Sequence, residues 1–256
     1  MTQLQMIDKT KSIAQQDVNV SVVFMYGSFT KNEGDQYSDI EFYIFLKNKK
    51  NFSSEKWVSQ IHPVALYFTN EYGSEVAIFE NMVRGEFHFL KTEEVEIIKS
   101  WEGMVTFSDF DQMNLVDKDG LLAKTLNQIK VKSPERTTTQ HTAWLSKSLL
   151  NVLLTTSNLI KRGEFAHAHQ SLSNVQKYLL WLIRVKTDKT RHWESPTKSL
   201  EKDIDPTWYS AYKTTTSDLQ PENIRSSFKS SLKLAEKLFE KLDVEPKLKE
   251  ILSRIR

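Results

Sequence analysis

Two carboxylates, Asp39 and Glu41, lie two residues apart at the start of the hydrophobic run DIEFYIFL. Side chains of a β-strand alternate between its two faces, so residues 39, 41 and 43 project to one side while residues 40, 42 and 44 enter the core. Two ionised carboxylates this close repel each other unless a cation compensates their charge. Mg²⁺ prefers oxygen ligands and commonly takes one or two protein carboxylates together with substrate phosphates. The pattern therefore predicts that Asp39 and Glu41 hold a magnesium ion beside a phosphate-bearing substrate.

A Gly-Ser turn upstream supplies groups that could bind these phosphates. An apolar run ends in Gly27 and Ser28, and ten residues separate this turn from Asp39. Glycine lets backbone N–H groups approach an anion, and Ser28, Thr30 and Lys31 add hydroxyl and ammonium donors. A metal site and a phosphate cradle together indicate a nucleotide substrate.

The segment MYGSFTKNEGDQYSDIEFYIF (residues 25–45) resembles the motif of the polymerase-beta type nucleotidyltransferase superfamily. Together with VRGEFHFL (residues 83–90), it is similar to the lincosamide nucleotidyltransferases of bacteria, in the larger of their two branches. The resemblance implies a metal-dependent enzyme that transfers AMP from MgATP to a hydroxyl of lincomycin or clindamycin. Pyrophosphate would leave, and the modified drug would no longer act, which confers antibiotic resistance. A homodimer is implied as well.

The same resemblance assigns roles to individual acidic residues. Asp39 and Glu41 would be the metal ligands, and Glu86 would be the general base that takes the proton of the acceptor hydroxyl. Asp39, Glu41 and Glu86 are thus the predicted catalytic residues. Glu75 and Glu80 are alternatives for the base; they are five residues apart, so an unbroken strand would place them on opposite faces.

Further residues are predicted to contact the two substrates. The predicted nucleotide-binding residues are those of the turn and two cations of the helical half: Gly27, Ser28, Thr30, Lys31, Arg191 and Lys198. His88 and Tyr43 are predicted to contact the acceptor. His88 shares a strand face with Glu86 by alternation, so it either lines the site or only lies beside that residue.

The elements that must position these residues change along the chain. After a helix predicted over residues 3–16, short β-branched and aromatic runs separated by turn residues continue to about residue 90. Beyond about residue 119, helical periodicity predicts helices at about 137–162, 164–186 and 221–242. The predicted fold class is therefore α+β.

Two domains are predicted within that class. The first, residues 1–112, is a nucleotidyltransferase domain with a mixed β-sheet and flanking helices; the second, residues 113–256, is an all-α helical bundle. The boundary is predicted between residues 112 and 113 because the surrounding segment, SDFDQMNLVDKDG, is rich in polar and turn-forming residues.

Composition and charge exclude several other classes. The 256 residues contain 35 Lys and Arg against 33 Asp and Glu, and this net charge of +2 is too small to indicate a nucleic-acid partner. The absence of cysteine excludes disulfides, thiol nucleophiles and cysteine-ligated metals. No apolar run reaches the length of a membrane span, and the first residues are polar rather than a signal peptide. We therefore expect a cytoplasmic protein with no membrane partner.

Two other enzyme classes could use the same catalytic residues. One is an aminoglycoside O-nucleotidyltransferase, whose polycationic acceptor would need an acidic pocket; the basic, aromatic-rich chain favours a lincosamide instead. The other is a toxin-type nucleotidyltransferase that modifies a protein or an RNA. A non-catalytic relative of the fold is disfavoured, because such relatives usually lose acidic positions and this chain keeps Asp39, Glu41 and Glu86.

Overall fold

The computed structural model describes residues 1–255 and divides into two compact units, Met1–Pro134 and Glu135–Arg256. The N-terminal unit contains the strands of the described chain, and the C-terminal unit is helical. The predicted α+β class, with a mixed sheet followed by a helical bundle, is confirmed. None of the helices in residues 1–255 is both long and apolar enough to span a membrane.

A six-stranded sheet forms the centre of the N-terminal unit. Its strands are β1 (Val20–Tyr26), β2 (Ile40–Leu46), β3 (Val64–Thr69), β4 (Glu75–Phe79), β5 (Arg84–Lys91) and β6 (Asn114–Asp117). They lie in the order β3-β4-β5-β2-β1-β6. β2 and β5 are parallel, whereas the other neighbouring pairs are antiparallel. Because parallel strands start at the same edge of a sheet, residues at the beginnings of β2 and β5 lie side by side.

Helices cover both faces of this sheet. They are α1 (Gln3–Gln16), α2 (Ser54–Val58), α3 (Phe110–Met113), α4 (Leu121–Leu126) and two 3₁₀ helices, Phe29–Lys31 and Thr92–Trp101. The predicted first helix matches α1, whose start is fixed by a capping box between Thr2 and Gln5. Strand alternation divides the core: Phe42 packs with α1 and α2 on one face, and Phe24 packs with the second 3₁₀ helix and α4 on the other.

The two compact units meet at residues 134/135, and the predicted domain boundary at 112/113 stays a prediction. β6 pairs antiparallel with β1, so that Val116 lies opposite Val23, and Leu122 and Leu126 of α4 are buried in the N-terminal core. Polar and turn residues are dense in this segment, so its sequence is typical of a linker. Its order comes from pairing with a distant strand, which a local pattern does not encode.

The C-terminal unit is a bundle of helices around its own apolar core. The helices are α5 (Thr139–Lys161), α6 (Phe165–Thr187), α7 (Leu200–Asp203), α8 (Pro206–Lys213), α9 (Pro221–Lys241) and α10 (Pro246–Arg254). The three predicted helices agree with α5, α6 and α9 to within two residues at each end. Gly163, whose φ of +76° suits a helix C-terminus, follows the end of α5, and α5 packs against α6. Trp144 of α5 is 52% exposed, although the neighbouring Leu145 is buried in the core of the bundle.

A buried arginine holds the segment between α6 and α7. Arg184 is fully buried and donates hydrogen bonds to the backbone oxygens of Lys189, Pro196 and Lys198. It also forms an ion pair with Asp203, with Nη1 and Oδ2 3.0 Å apart. A buried guanidinium is tolerated only when its donors are paired, so this network fixes the path of the segment that contains Arg191.

Candidate active site

The turn after β1 is built around Gly27. This residue has a φ of +83°, a left-handed conformation that suits glycine, and a Cβ at this position would overlap Oε2 of Glu41. The backbone oxygen of Ser28 accepts a hydrogen bond from the N–H of Lys31 at 3.1 Å, which closes the short 3₁₀ helix. The turn therefore brings the backbone directly against the Glu41 carboxylate.

Replacing Gly27 with alanine is expected to destabilise the protein and to displace Glu41. The left-handed backbone costs a residue with a Cβ about 1–2 kcal/mol. Gly120→Ala is the matched control, because Gly120 also has a positive φ (+69°) but an added Cβ there meets open space. In urea denaturation, the free energy of unfolding should fall in both variants because of the backbone cost. It should fall further in G27A alone. Equal decreases in the free energy of unfolding of the two variants would contradict the close approach of Glu41 to Gly27.

Thr30 supports the turn, and its predicted contact with a phosphate stays a prediction. Its side chain is buried, and its hydroxyl donates a hydrogen bond to the backbone oxygen of Gly27 at 2.9 Å. The hydroxyl oxygen of Thr30, Oγ1, in turn accepts a hydrogen bond from Oγ of Ser108 at 3.0 Å. The single hydroxyl proton of Thr30 is thus used within the turn. Ser28 and Lys31 are half-buried on the same turn.

The sheet brings the three predicted catalytic carboxylates together. Tyr26 of β1 lies opposite Glu41 of β2, and Glu41 lies opposite Glu86 of β5. Directly opposed residues on neighbouring strands share a face, so these side chains form a row across the sheet. Asp39 immediately precedes β2. We refer to Asp39, Glu41 and Glu86 below as the acidic row.

Arg84, the first residue of β5, links two members of the acidic row. Its Nη1 lies 2.6 Å from Oδ2 of Asp39, and its Nη2 lies 2.7 Å from Oε2 of Glu86. The sequence around Arg84 predicts no role for it, because Asp39 is 45 residues away along the chain. Its position two residues before Glu86 places both side chains on one strand face, and this spacing could have indicated that Arg84 lies at the site.

The surroundings give the two opposed glutamates different acidities. Burial and the charges of Asp39 and Glu86 raise the pKa of Glu41 to about 7. Burial also acts to raise the pKa of Glu86, but hydrogen bonds from Arg84 and Ser74 outweigh it and bring that pKa below its usual value. At neutral pH, Glu86 is therefore ionised, whereas Glu41 is only about half ionised.

Replacing Glu41 with glutamine is expected to stabilise the substrate-free protein at pH 8 more than at pH 5. The pKa of Glu41 is raised from 4.5 to about 7 on folding, so the wild-type protein loses stability as the pH rises through this interval. Glutamine carries no charge and avoids that loss. Thermal denaturation at both pH values measures the difference, with exposed Glu80→Gln as the control that should show no pH-dependent gain. A gain of the same size at both pH values would contradict the raised pKa.

Aromatic side chains continue the face that carries the acidic row. Tyr43 lies opposite His88, and their rings are stacked with centroids 4.1 Å apart. The hydroxyl of Tyr26 lies 3.1 Å from Nε2 of His88. Burial lowers the pKa of His88, although Glu86 acts against this, so the imidazole is neutral at pH 7. The two predicted acceptor contacts, His88 and Tyr43, thus form one aromatic pair beside Glu86, joined by Tyr26, which the sequence analysis does not single out.

The two alternative bases lie elsewhere. Glu75 of β4 lies opposite Phe87, so its side chain is on the other face of the sheet from Glu86. There it accepts a hydrogen bond from the hydroxyl of Tyr67. Glu80 is exposed beyond the end of β4. Of the three candidates for the base, Glu86 is the one that lies beside Glu41.

Arg191 and Lys198 lie in the C-terminal unit, in the segment between α6 and α7. The backbone oxygen of Lys198 accepts a hydrogen bond from Arg184 at 2.8 Å. Trp193, between the two cations in sequence, is buried and stacks on Trp181 with centroids 5.4 Å apart. The segment is therefore ordered by buried side chains, and nucleotide binding by its two cations stays a prediction.

Family models match both units of the chain. Residues 8–80 match the model of the polymerase beta nucleotidyltransferase domain. Residues 138–255 match the model of the lincosamide nucleotidyltransferase-like C-terminal domain. Both units resemble nucleotidyltransferases. The resemblance inferred from the sequence is thus confirmed.

Solved structures of nucleotidyltransferases are similar over almost the whole chain. An aminoglycoside 6-adenyltransferase from Bacillus subtilis is 14% identical, with 99% of this chain and 97% of that chain covered and a TM-score of 0.46. A nucleotidyltransferase-like protein from Exiguobacterium sibiricum is 14% identical, with 98% and 80% covered and a TM-score of 0.38. A search of curated proteins gave no significant match. Identities and TM-scores this low do not identify a substrate.

Nucleotidyltransferases of this superfamily generally use a divalent metal ion, and the acidic row fits such an ion. Its donors are carboxylate oxygens, the ligands that Mg²⁺ prefers. Burial, together with the charges of Asp39 and Glu86, raises the pKa of Glu41 against the opposing charges of Arg84 and Lys31. Within residues 1–255, no group of three or more histidine, aspartate and glutamate side chains is placed to hold a metal ion together. Mg²⁺ commonly uses only one or two protein carboxylates and completes its shell with phosphates and water.

Proposed function

We propose that this protein transfers AMP from MgATP to a hydroxyl group of a lincosamide antibiotic and releases pyrophosphate. The observation that carries the reaction type is the acidic row beside the Gly27 turn, on two parallel strands of the N-terminal unit. The acceptor class is supported by the match of residues 138–255 to the lincosamide nucleotidyltransferase-like C-terminal domain. The proposal includes a homodimer in the bacterial cytoplasm, where ATP and Mg²⁺ are available.

Asp39 and Glu41 are the residues that we propose hold the magnesium ion. When bound, Mg²⁺ would neutralise negative charge on the phosphate oxygens, as in phosphoryl transfer generally. Glu41 is pressed against the Gly27 turn, which limits the positions its carboxylate can take. Positioning of this kind lowers the entropic cost of reaching the reactive arrangement.

Glu86 is the proposed general base. In an in-line attack, the acceptor oxygen forms a bond to the α-phosphorus while the bond from that phosphorus to the bridging oxygen breaks. Pyrophosphate leaves with the bonding electron pair, and the hydroxyl proton passes to a carboxylate oxygen of Glu86. Because Arg84 and Ser74 hold the pKa of Glu86 below its usual value, the base is ionised and ready at neutral pH.

The proposed contacts with the phosphates and with the acceptor follow from where the turn and the aromatic pair lie. The backbone of the Gly27 turn, with Ser28 and Lys31, is proposed to bind the β- and γ-phosphates. Thr30 positions this turn through its hydrogen bond to the Gly27 oxygen. The stacked pair of Tyr43 and His88 presents an aromatic surface beside Glu86, which suits an acceptor with apolar groups.

Mass spectrometry of the drugs after incubation tests the proposal directly. Clindamycin, lincomycin and, as a comparison, kanamycin are each incubated with the protein, Mg²⁺ and ATP, and the products are searched for an added AMP group and for pyrophosphate. Adducts on the two lincosamides alone are expected. An adduct on kanamycin alone would assign the acceptor to the aminoglycosides. No adduct on any drug, with a folded protein that binds MgATP, would overturn the lincosamide assignment and direct the search to a macromolecular acceptor.

A further inference from the structure

Arg84 lies where β2 and β5 begin side by side. Ile40 lies opposite Gly85 and Glu41 opposite Glu86, so the parallel register places Arg84 next to Asp39. The guanidinium reaches both carboxylates at hydrogen-bonding distance, 2.6 Å to Asp39 and 2.7 Å to Glu86. Arginine presents several N–H donors in a planar fork, so it can bind two carboxylates at once.

The contacts of Arg84 involve the same carboxylates that the reaction needs. Oδ2 of Asp39 accepts a hydrogen bond from the guanidinium, yet Asp39 is also a proposed ligand of the metal ion. A carboxylate paired with a cation is a poorer ligand for a second one, because the two cations compete for its lone pairs and repel each other. The side chains of Arg84 and Asp39 are 37% and 38% exposed, so the pair can open without disturbing the core.

We propose that Arg84 occupies the cation position of the site before the metal ion and nucleotide enter. Its guanidinium holds Asp39 and Glu86 together in the empty site, and a divalent cation displaces it from Asp39 while it keeps its contact with Glu86. The inference rests on the proposed function. It makes Arg84 a positioning residue that stabilises the empty acidic row at a cost in affinity for the metal ion.

This role differs measurably from that of an ordinary structural ion pair. If Arg84 only stabilised the fold, its loss would loosen the acidic row and weaken metal binding. If it competes with the metal ion, its loss must strengthen metal binding. The two cases predict opposite changes in one quantity, the dissociation constant for a divalent cation.

The test measures binding of Mn²⁺ alone by electron paramagnetic resonance on the full chain, without nucleotide or acceptor. Arg84→Gln is expected to bind Mn²⁺ roughly two- to fivefold more tightly than the wild type, the upper part of the range expected for a partly exposed charge pair. Arg84→Lys keeps the charge but not the fork, and its affinity should lie between the two. Lys99→Gln is the matched control: Lys99 forms an exposed ion pair with Glu96 at 2.7 Å in the same unit, and its loss should leave Mn²⁺ affinity unchanged.

Each result supports or overturns the inference. Equal or weaker Mn²⁺ binding by R84Q, with a circular dichroism spectrum like that of the wild type, overturns the competition while leaving the proposed function in place. If R84Q does not fold, R84K decides the matter by the same criterion. If neither the wild type nor these variants bind Mn²⁺, even with a non-hydrolysable ATP analogue added, the proposed function fails and the inference fails with it.

Discussion

Replacing Asp39 with asparagine is expected to reduce AMP transfer by about 10³-fold or more while the protein stays folded. Asparagine has nearly the same shape but lacks the charge that we propose binds the metal ion. Charge stabilisation by a bound metal ion amounts to several kcal/mol, and each 1.36 kcal/mol corresponds to about a tenfold change in rate. The rate of pyrophosphate release with ATP and clindamycin measures the effect, and thermal denaturation checks the fold.

The control for this substitution is Asp8→Asn, which changes an exposed aspartate on α1. It should leave the rate within a factor of about two, since surface substitutions remote from the site have small effects. D39N should also weaken MgATP binding. A D39N rate within tenfold of the wild type would contradict the assignment of Asp39 as a metal ligand.

Replacing Glu86 with glutamine is expected to slow AMP transfer by roughly 10²- to 10⁴-fold while MgATP still binds. Such a loss is typical when a general base is removed from a reaction that needs proton transfer. Glutamine retains the size of the side chain and an oxygen that can accept a hydrogen bond from Arg84, but it cannot take the proton of the acceptor hydroxyl. Single-turnover transfer measures the rate, and equilibrium binding of an ATP analogue with Mg²⁺ measures the affinity.

Glu75→Gln is the matched control for the base. Glu75 lies on the neighbouring strand but on the opposite face of the sheet, where it accepts a hydrogen bond from Tyr67. We expect E75Q to transfer AMP at close to the wild-type rate. If E75Q were the slow variant and E86Q the normal one, the two assignments would have to be exchanged.

Together the two substitutions separate metal binding from proton transfer. D39N should impair both MgATP binding and turnover, whereas E86Q should impair turnover alone. The structure supports this division, because Asp39 lies at the start of β2 whereas Glu86 lies on β5 beside the aromatic pair of Tyr43 and His88. An equal loss of MgATP affinity in both variants would show that the acidic row binds the ion as a single unit.

Local patterns in the sequence were sufficient for the fold class, for the four longest helices and for the pairing of Asp39 with Glu41. The capped helix α1 and the periodic helices α5, α6 and α9 form where their apolar spacing predicts them. Strand alternation places Glu41 and Tyr43 on one face, because it depends only on adjacent residues. The Gly-Ser turn was recognisable for the same reason, since its conformation depends on Gly27 itself.

The tertiary structure decided which distant residues meet at this turn and along the acidic row. Register between β2 and β5 places Glu86 beside Glu41 and brings Arg84 to Asp39, and it turns Glu75 to the opposite face. The fold also brings Ser108 to Thr30, and the pairing of β6 with β1 joins residues 114–117 to the sheet of the first unit. Alternation along a strand is set by neighbours in the chain, whereas strand register joins residues many positions apart, and only the folded protein contains that information.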